Sequence, residues 1–189
     1  MLMLFTEALG QFLTGYLAKL PEKPAVSFTL PGTVEGKSAL SIFLTSLKEN
    51  PDLRSNELQY KREELGWITT IPPLRLKCTY LVSAWPLAAD PAEAILRQHQ
   101  LLSAAFTAIA THKKLPAAFI PAPLKQDDLP DPIIELSEDQ LHLNPDFWRT
   151  LNCPFHPAFS FSATISLPLD GEYFDFRVDK VNAELKIKN

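Results

Sequence analysis

Hydrophobic residues recur at three- and four-residue steps in two segments, which predicts two long amphipathic helices. The first is predicted over residues 2–20, with an apolar side formed by Leu2, Phe5, Leu9, Phe12, Tyr16 and Leu20. The second is predicted to begin with Asp90 as N-cap and Pro91 in its first turn, and to stop at Leu115-Pro116. Its predicted buried stripe is Ile95, Leu102, Phe106 and Ile109. We expect both stripes to pack against a protein core.

Alternation of apolar and polar residues predicts strands between and after these helices. The predicted strands cover residues 25–30, 40–47, 66–71, 74–84, 133–136 and 140–143. A charged segment at 53–61 suits an edge strand, and a short helix over 145–151 would be capped by Asn144.

The C-terminal segments 159–169, 174–179 and 181–187 alternate most regularly of all. In 159–169 the alternation predicts one buried face and one solvated face. Asp170-Gly171, which follows directly, predicts a hairpin turn.

These elements together predict an α+β fold in which a mixed, largely antiparallel sheet packs against two main helices. The chain has 189 residues, which is enough for one well-buried domain and too few for two. We therefore expect residues 1–189 to form a single domain.

The composition is that of an ordinary globular protein, and it limits the possible partners. The formal net charge of −4 argues against a general binder of nucleic-acid backbones. No stretch reaches the ~18 apolar residues of a membrane span, and the apolar start lacks the basic residues of a signal peptide. These features predict synthesis and assembly in the cytoplasm, with no direct insertion into a membrane.

The two cysteines, Cys78 and Cys153, are too few for a disulfide framework or a zinc cluster. Cys78 lies on the apolar parity of a predicted strand, so a buried reduced thiol is expected. A Cys78–Cys153 bridge remains the alternative.

Motifs that carry chemistry are missing from the sequence. It has no glycine-rich phosphate loop, His-Glu-x-x-His, Cys-x-x-Cys or Gly-x-Ser-x-Gly. The four histidines, His99, His112, His142 and His156, show no metal-ligand spacing. We expect His99 at the surface or its boundary and His142 to be solvated. The acidic residues of 127–139 are interpreted as a solvated loop, and the three tryptophans as core or interface anchors. No catalytic residue, metal or cofactor is predicted.

Four phrases, in this order, carry a resemblance to a known family. They are SIFLT at 41–45, ENPDLR at 49–54, PPLRL at 72–76 and YLVSAW at 80–85. The set resembles the N-terminal domain of the cap, or tail-terminator, proteins of extracellular contractile injection systems, such as the antifeeding-prophage and Photorhabdus virulence cassette particles.

The resemblance implies a tail-terminator-like fold and a structural, non-enzymatic function. It implies a ring, six copies in the family, that closes the distal end of the inner tube and sheath and ends their polymerisation. The implied partners are further copies of the chain, the sheath protein and the inner tube protein. The particle would be either released or anchored to a membrane.

Two segments are predicted to form the assembly interface. Asn50, Asp52, Leu53 and Arg54 match the family's turn after its first long strand, and Glu57 follows in the charged segment. The closing segment carries Ala183, Leu185, Lys186, Ile187 and Lys188, whose alternation and charge suit a strand at a sheet edge. The hypothesis is that this strand, or the edge at 53–61, extends a neighbour's sheet.

Three alternatives remain open. The protein could instead be a baseplate or tube adaptor of the same particle. It could be a standalone ligand-binding domain. It could also be a small hydrolase that uses His142 with the acidic loop.

Overall fold

The computed structural model describes residues 1–32, 36–55, 57, 59–63, 66–125, 130–138, 140–169 and 172–175, with 59–63, 66–70 and 172–175 described as backbone. The helices are α1 (Leu2–Leu17), α2 (Pro91–Thr111) and α3 (Pro145–Thr150). The strands are β1 (Ala25–Ser27), β2 (Ala39–Glu49), β3 (Gln59–Glu63), β4 (Gly66–Thr70), β5 (Leu74–Trp85), β6 (Ile133–Leu136), β7 (Ala158–Leu167) and β8 (Glu172–Asp175).

Eight strands form two sheets in the described part of the chain. The larger sheet has the order β1-β2-β5-β7-β6, and the smaller has the order β3-β4-β8. Among the described strands, only the β1–β2 pair is parallel, and the other pairs are antiparallel. The predicted α+β class with a mixed, largely antiparallel sheet is confirmed.

The main core lies between the five-stranded sheet and the pair α1 and α2. The apolar residues at even-numbered positions of β2 and β5 face the helices, together with Phe161 of β7, as the alternation along these strands predicts. Tyr80 stacks on Phe161 with ring centroids 5.1 Å apart, and Phe5 of α1 packs against Tyr80. Each such buried side chain stabilises the fold by about 1.5–3 kcal/mol.

Both cysteines are free thiols, which excludes the alternative of a bridge between them in this structure. Cys78 is buried in the main core, and burial raises its pKa to about 11. Cys153 packs on the opposite side of the sheet beside Trp148, and its Sγ donates to the Pro31 carbonyl at 2.9 Å.

The buried stripe predicted for α2 is wrong at two of its four positions. Ile109 is buried, but Ile95 is 53% exposed and Phe106 is 43% exposed. The helix turns a neighbouring face to the sheet, with Gln98 buried among alanines and leucines. Gln98 tolerates burial because its amide donates to the Ala84 carbonyl at 3.2 Å. The apolar side of α2 is therefore wider than the sheet covers.

The solvated face predicted for 159–169 is also wrong. The four hydroxyl residues of β7 are all buried: Ser160, Ser162, Thr164 and Ser166. The strand lies inside the sheet, between β5 and β6, and a second apolar cluster of Leu81, Trp85 and Trp148 occupies the same side of the sheet.

Two further predictions fail because strand pairing is not local. The hairpin predicted after β7 would pair 159–169 with 174–179, but β8 pairs with β4 in the smaller sheet. The predicted strand at 140–143 is a 3-10 turn, Leu141–Leu143, whose closing hydrogen bond runs from Leu143 N to Gln140 O at 2.8 Å. The predicted final strand, 181–187, lies outside the described residues.

Candidate assembly interface

The predicted turn after the first long strand exists, and Asn50 ties it to the sheet. Asn50 N donates to the Arg75 carbonyl at 2.7 Å, and its side-chain amide donates to Thr164 Oγ1 at 3.2 Å. The chain then forms the 3-10 turn Pro51–Leu53, for which proline fixes a suitable φ. Asn50 therefore positions the turn and leaves its tip free.

The residues after Asn50 point into solvent. Asp52, Leu53 and Arg54 are exposed, and Arg54 forms an exposed ion pair with Glu49 at 2.8 Å. Such a pair contributes about 0–1 kcal/mol to stability, so these charges are available for other contacts. Glu57 is also exposed. The structure thus brings Asp52, Leu53, Arg54 and Glu57 to the surface around one turn.

The structure describes one of the two predicted strand edges. In segment 53–61, β3 forms one edge of the smaller sheet, and among the described strands it pairs only with β4. The expected edge strand is therefore present from Gln59 onward. The predicted interface residues Ala183, Leu185, Lys186, Ile187 and Lys188 lie outside the described residues.

Beneath the turn lies a buried arginine whose role the sequence did not reveal. Arg75 donates to Ser166 Oγ and to the Pro130 carbonyl, while its Nε has no partner. Burial lowers the pKa of its guanidinium. Alternation placed Arg75 on a polar face, but nothing in the sequence showed that this face is covered.

A small pocket of about 250 Å³ lies between the end of β5 and the start of α2. His156 stacks flat on Trp85 there, and its Nε2 lies 2.7 Å from the Ala84 carbonyl and contacts the Gln98 amide. Burial lowers the pKa of His156, which favours the neutral ring. The lining has no carboxylate, hydroxyl or thiol, so this pocket lacks a nucleophile or an acid–base partner for catalysis.

The hydrolase alternative gains no support from the residues that the structure describes. His142 is half-buried, and not solvated as expected, because Trp148 covers its turn and donates from Nε1 to the His142 carbonyl at 2.7 Å. Its Nδ1 is buried without a partner. Of the acidic residues in that hypothesis, Glu135 and Glu138 are exposed, and Asp127, Asp128 and Asp139 lie outside the described residues.

Within the residues that the structure describes, no three His, Cys, Asp or Glu side chains come close enough to share a metal ion. None of the described helices combines the length and the apolar character needed to cross a bilayer.

The chain matches one family model, and the solved structures with a similar fold include two terminator proteins. The family described as "Pvc16 N-terminal domain" matches residues 5–174. The fold is similar to the sheath/tube terminator of PVC, an extracellular contractile injection system, in its extended state (TM-score 0.71, 21% identity, covering 100% of this chain and 64% of that one). It is also similar to the tube-terminating cap of the anti-feeding prophage AFP (TM-score 0.64, 21% identity, covering 94% of this chain and 58% of that one).

The chain thus spans less than two thirds of the length of either structure. No curated protein matches it.

Proposed function

We propose a function from one premise: the chain belongs to the Pvc16 N-terminal domain family. Its function is that of a structural cap, or tail terminator, of a contractile injection system. It closes the distal end of the inner tube and sheath as a ring and ends their polymerisation. The observation that carries this proposal is the similarity of the whole fold to a protein described as a sheath/tube terminator.

The geometry supports a protein that acts through its surface. The described pocket at Trp85 holds no catalytic pair, and the described histidines form no metal site. The solvent-facing turn at 52–54 and the open strand edges provide contact surfaces instead. In this proposal residues 1–189 form a single cap domain, and no covalent bond is made or broken.

The proposed partners are other copies of this chain, in a ring of six, together with the sheath and inner tube proteins. A growing filament ends in unpaired subunit surfaces, and a terminator must cover them. Assembly would take place in the cytoplasm, within a particle that is later released or anchored to a membrane, and without insertion of the cap into lipid.

The proposed filament contact combines the turn and the chain end. Asp52, Leu53, Arg54 and Glu57 meet the tube or sheath, and Asn50 positions them. The segment with Ala183, Leu185, Lys186, Ile187 and Lys188 adds a strand to a neighbour's sheet, where backbone hydrogen bonds give affinity. Its alternating sequence supports this assignment.

The test is the length distribution of injection particles, measured by electron microscopy, in cells that lack the protein and in cells that express it again. We expect sheaths and tubes of variable, excess length without it and uniform length with it. Uniform lengths in its absence would refute the cap function. Complementation with a chain lacking residues 182–189 examines the strand hypothesis separately, and normal capping by that chain would count against it.

The alternative of a baseplate or tube adaptor predicts that the protein lies at a different position in the particle. A label on the protein distinguishes the two, because a cap lies at the end opposite the baseplate.

A further inference from the structure

Two unpartnered surfaces lie at opposite ends of the five-stranded sheet. The first surface is the outer side of α2, which carries Ile95, Leu102 and Phe106. Ile95 lines the pocket at the end of β5, Leu102 packs partly against the main core, and Phe106 makes an edge contact with the half-buried Phe159. Leu136 at the end of β6 is 43% exposed beside them. We name these five residues the α2 flank. It is the part of the helix's apolar side that the sheet leaves open.

The second surface is the outer edge of β2. β1 pairs with Ala39, Leu40 and Ser41 only, so within the described residues the rest of this strand, to Glu49, has no neighbour on that side. Leu47 pairs with Cys78 and so lies on the helix side of the sheet, yet it is 51% exposed. We name residues 42–49 the β2 edge. A long open edge with an exposed leucine is a site for strand or side-chain docking.

The two surfaces are complementary on both sides of the sheet. On the helix side, Leu136, paired with Phe161, would meet Leu47. On the opposite side, exposed Glu135 of β6 would meet exposed Lys48 of β2. Lys113, whose carbonyl accepts from Ile134 N at 2.7 Å, adds a positive charge beside β6 that matches Glu49. In this arrangement apolar side chains face apolar side chains, and each charged side chain faces one of opposite charge.

We propose that the α2 flank of one copy docks on the β2 edge of the next copy. This inference rests on the proposed ring and names its subunit contact. The contact is head-to-tail, because the two surfaces differ and lie about 14 Å apart, three strand spacings from β2 to β6 across the sheet. A head-to-tail contact closes into a ring when the rotation between neighbouring copies divides a full turn, and such a ring has the helix side of every copy on the same side.

A second copy fits better than a foreign partner. Both complementary surfaces belong to this one chain, and a single kind of contact covers both in every subunit of a closed ring. An unrelated partner on the α2 flank would leave the β2 edge open.

The experiment is cysteine cross-linking with a short bis-maleimide, on the purified protein and on assembled particles. The double variant Leu47→Cys with Leu136→Cys is made in a Cys153→Ser background, where the remaining Cys78 is buried. We expect a ladder of covalent oligomers that ends at the ring size, whereas a mixture of the two single variants gives dimers at most. The matched control joins Leu47→Cys to Leu143→Cys, which is 55% exposed against 43% for Leu136 and belongs to neither surface.

A ladder of equal strength in the control, or none from the test variant in either preparation, would overturn the proposed contact. Charge reversal supplies an independent readout. Lys48→Glu and Glu135→Lys should each weaken self-association about two- to five-fold, and together they should restore it. Lack of restoration counts against the proposal.

These results are separable from the proposed function. Cross-linking reports on contacts between copies whether or not filaments are present, whereas particle length reports on capping. A ladder with unregulated particle lengths would retain the contact and reject the cap. Particles of regulated length without a cross-linked ladder would retain the cap function and reject the proposed contact.

Discussion

His156 lies flat on Trp85, with the two ring centroids 4.0 Å apart and the ring planes 3° from parallel. The Ala84 carbonyl, 2.7 Å from His156 Nε2, fixes the ring in this position. The contact joins the loop before β7 to the end of β5 and closes the second apolar cluster. Its strength should depend on pH, because burial lowers the pKa of His156.

The sign of that dependence follows from the direction of the shift. The unfolded chain takes up a proton near pH 6.5, while the folded chain resists protonation until lower pH. The stabilising contribution of His156 is therefore complete above about pH 6.5 and is lost as the pH falls toward the folded pKa. Urea unfolding between pH 5 and 8 measures it. We expect His156→Phe, which retains an aromatic ring, to flatten this part of the profile, and an unchanged slope would contradict the assignment.

Asn50 and Asp52 are two residues apart in the sequence but differ in role: Asn50 holds the turn, and Asp52 faces solvent. Asn50→Ala removes the amide hydrogen bond to Thr164 and should lower the free energy of unfolding by about 1 kcal/mol. Asp52→Ala should change it by less than about 0.5 kcal/mol. Chemical denaturation checks both values. If Asp52 is a filament contact, particle length control should suffer in the Asp52 variant despite its intact fold.

The two glycines of α1 offer a matched pair. A Cβ at Gly15 would lie 3.7 Å from Phe119 Cζ, an ordinary contact, whereas a Cβ at Gly10 would lie 2.9 Å from Phe28 Cε2. Gly15→Ala should therefore raise stability by up to about 1 kcal/mol through helix propensity. Gly10→Ala should gain less or lose stability, because the Phe28 ring must move. Thermal unfolding of the two variants compares them, and equal gains would show that Phe28 yields freely.

Arg75 is buried with its Nε unpartnered and, among the described residues, makes no ion pair with a carboxylate. Replacing a poorly compensated buried charge with an apolar side chain of similar length is often neutral or stabilising. The free energy of unfolding of Arg75→Met should accordingly lie within about 1 kcal/mol of the parent value or above it. Arg75→Ala should lower that free energy by about 2–4 kcal/mol, because the substitution leaves a cavity. Urea unfolding decides between these outcomes. A severe loss in the Met variant would mean that the guanidinium has a strong partner.

Local pattern was sufficient for elements whose environment is uniform along their length. The alternation of Leu76, Cys78 and Tyr80 predicted the strand and the side that meets the helices, because β5 is central and its helix side is covered throughout. Asn144 predicted the start of α3, since a side-chain cap acts within a few residues, here on Asp146 N at 2.9 Å.

The sequence pattern gave wrong predictions where segments distant in the sequence decide which residues are buried. Ser160 and Ser162 have a polar appearance in the sequence, yet they are buried by the position of β7 within the sheet. Ile95 and Phe106 have the spacing of core residues, yet a neighbouring face of α2 packs on the sheet and leaves them exposed. The exposed turn at 52–54 could be predicted from its sequence, but the α2 flank and its counterpart on β2 could not, because both depend on strand order.

The order of the strands also governs when the chain can fold during synthesis. β5 lies between β2 and β7, and residues of β5 pair with residues of β7 about eighty positions later. A ribosome must therefore have translated most of the chain before the larger sheet can form. Until then β5 has only β2 beside it, and α2 and α3 lack the part of their packing surface that β7 supplies. Under the proposed cap function, a nascent chain would therefore lack the folded surface with which finished subunits stop a growing filament.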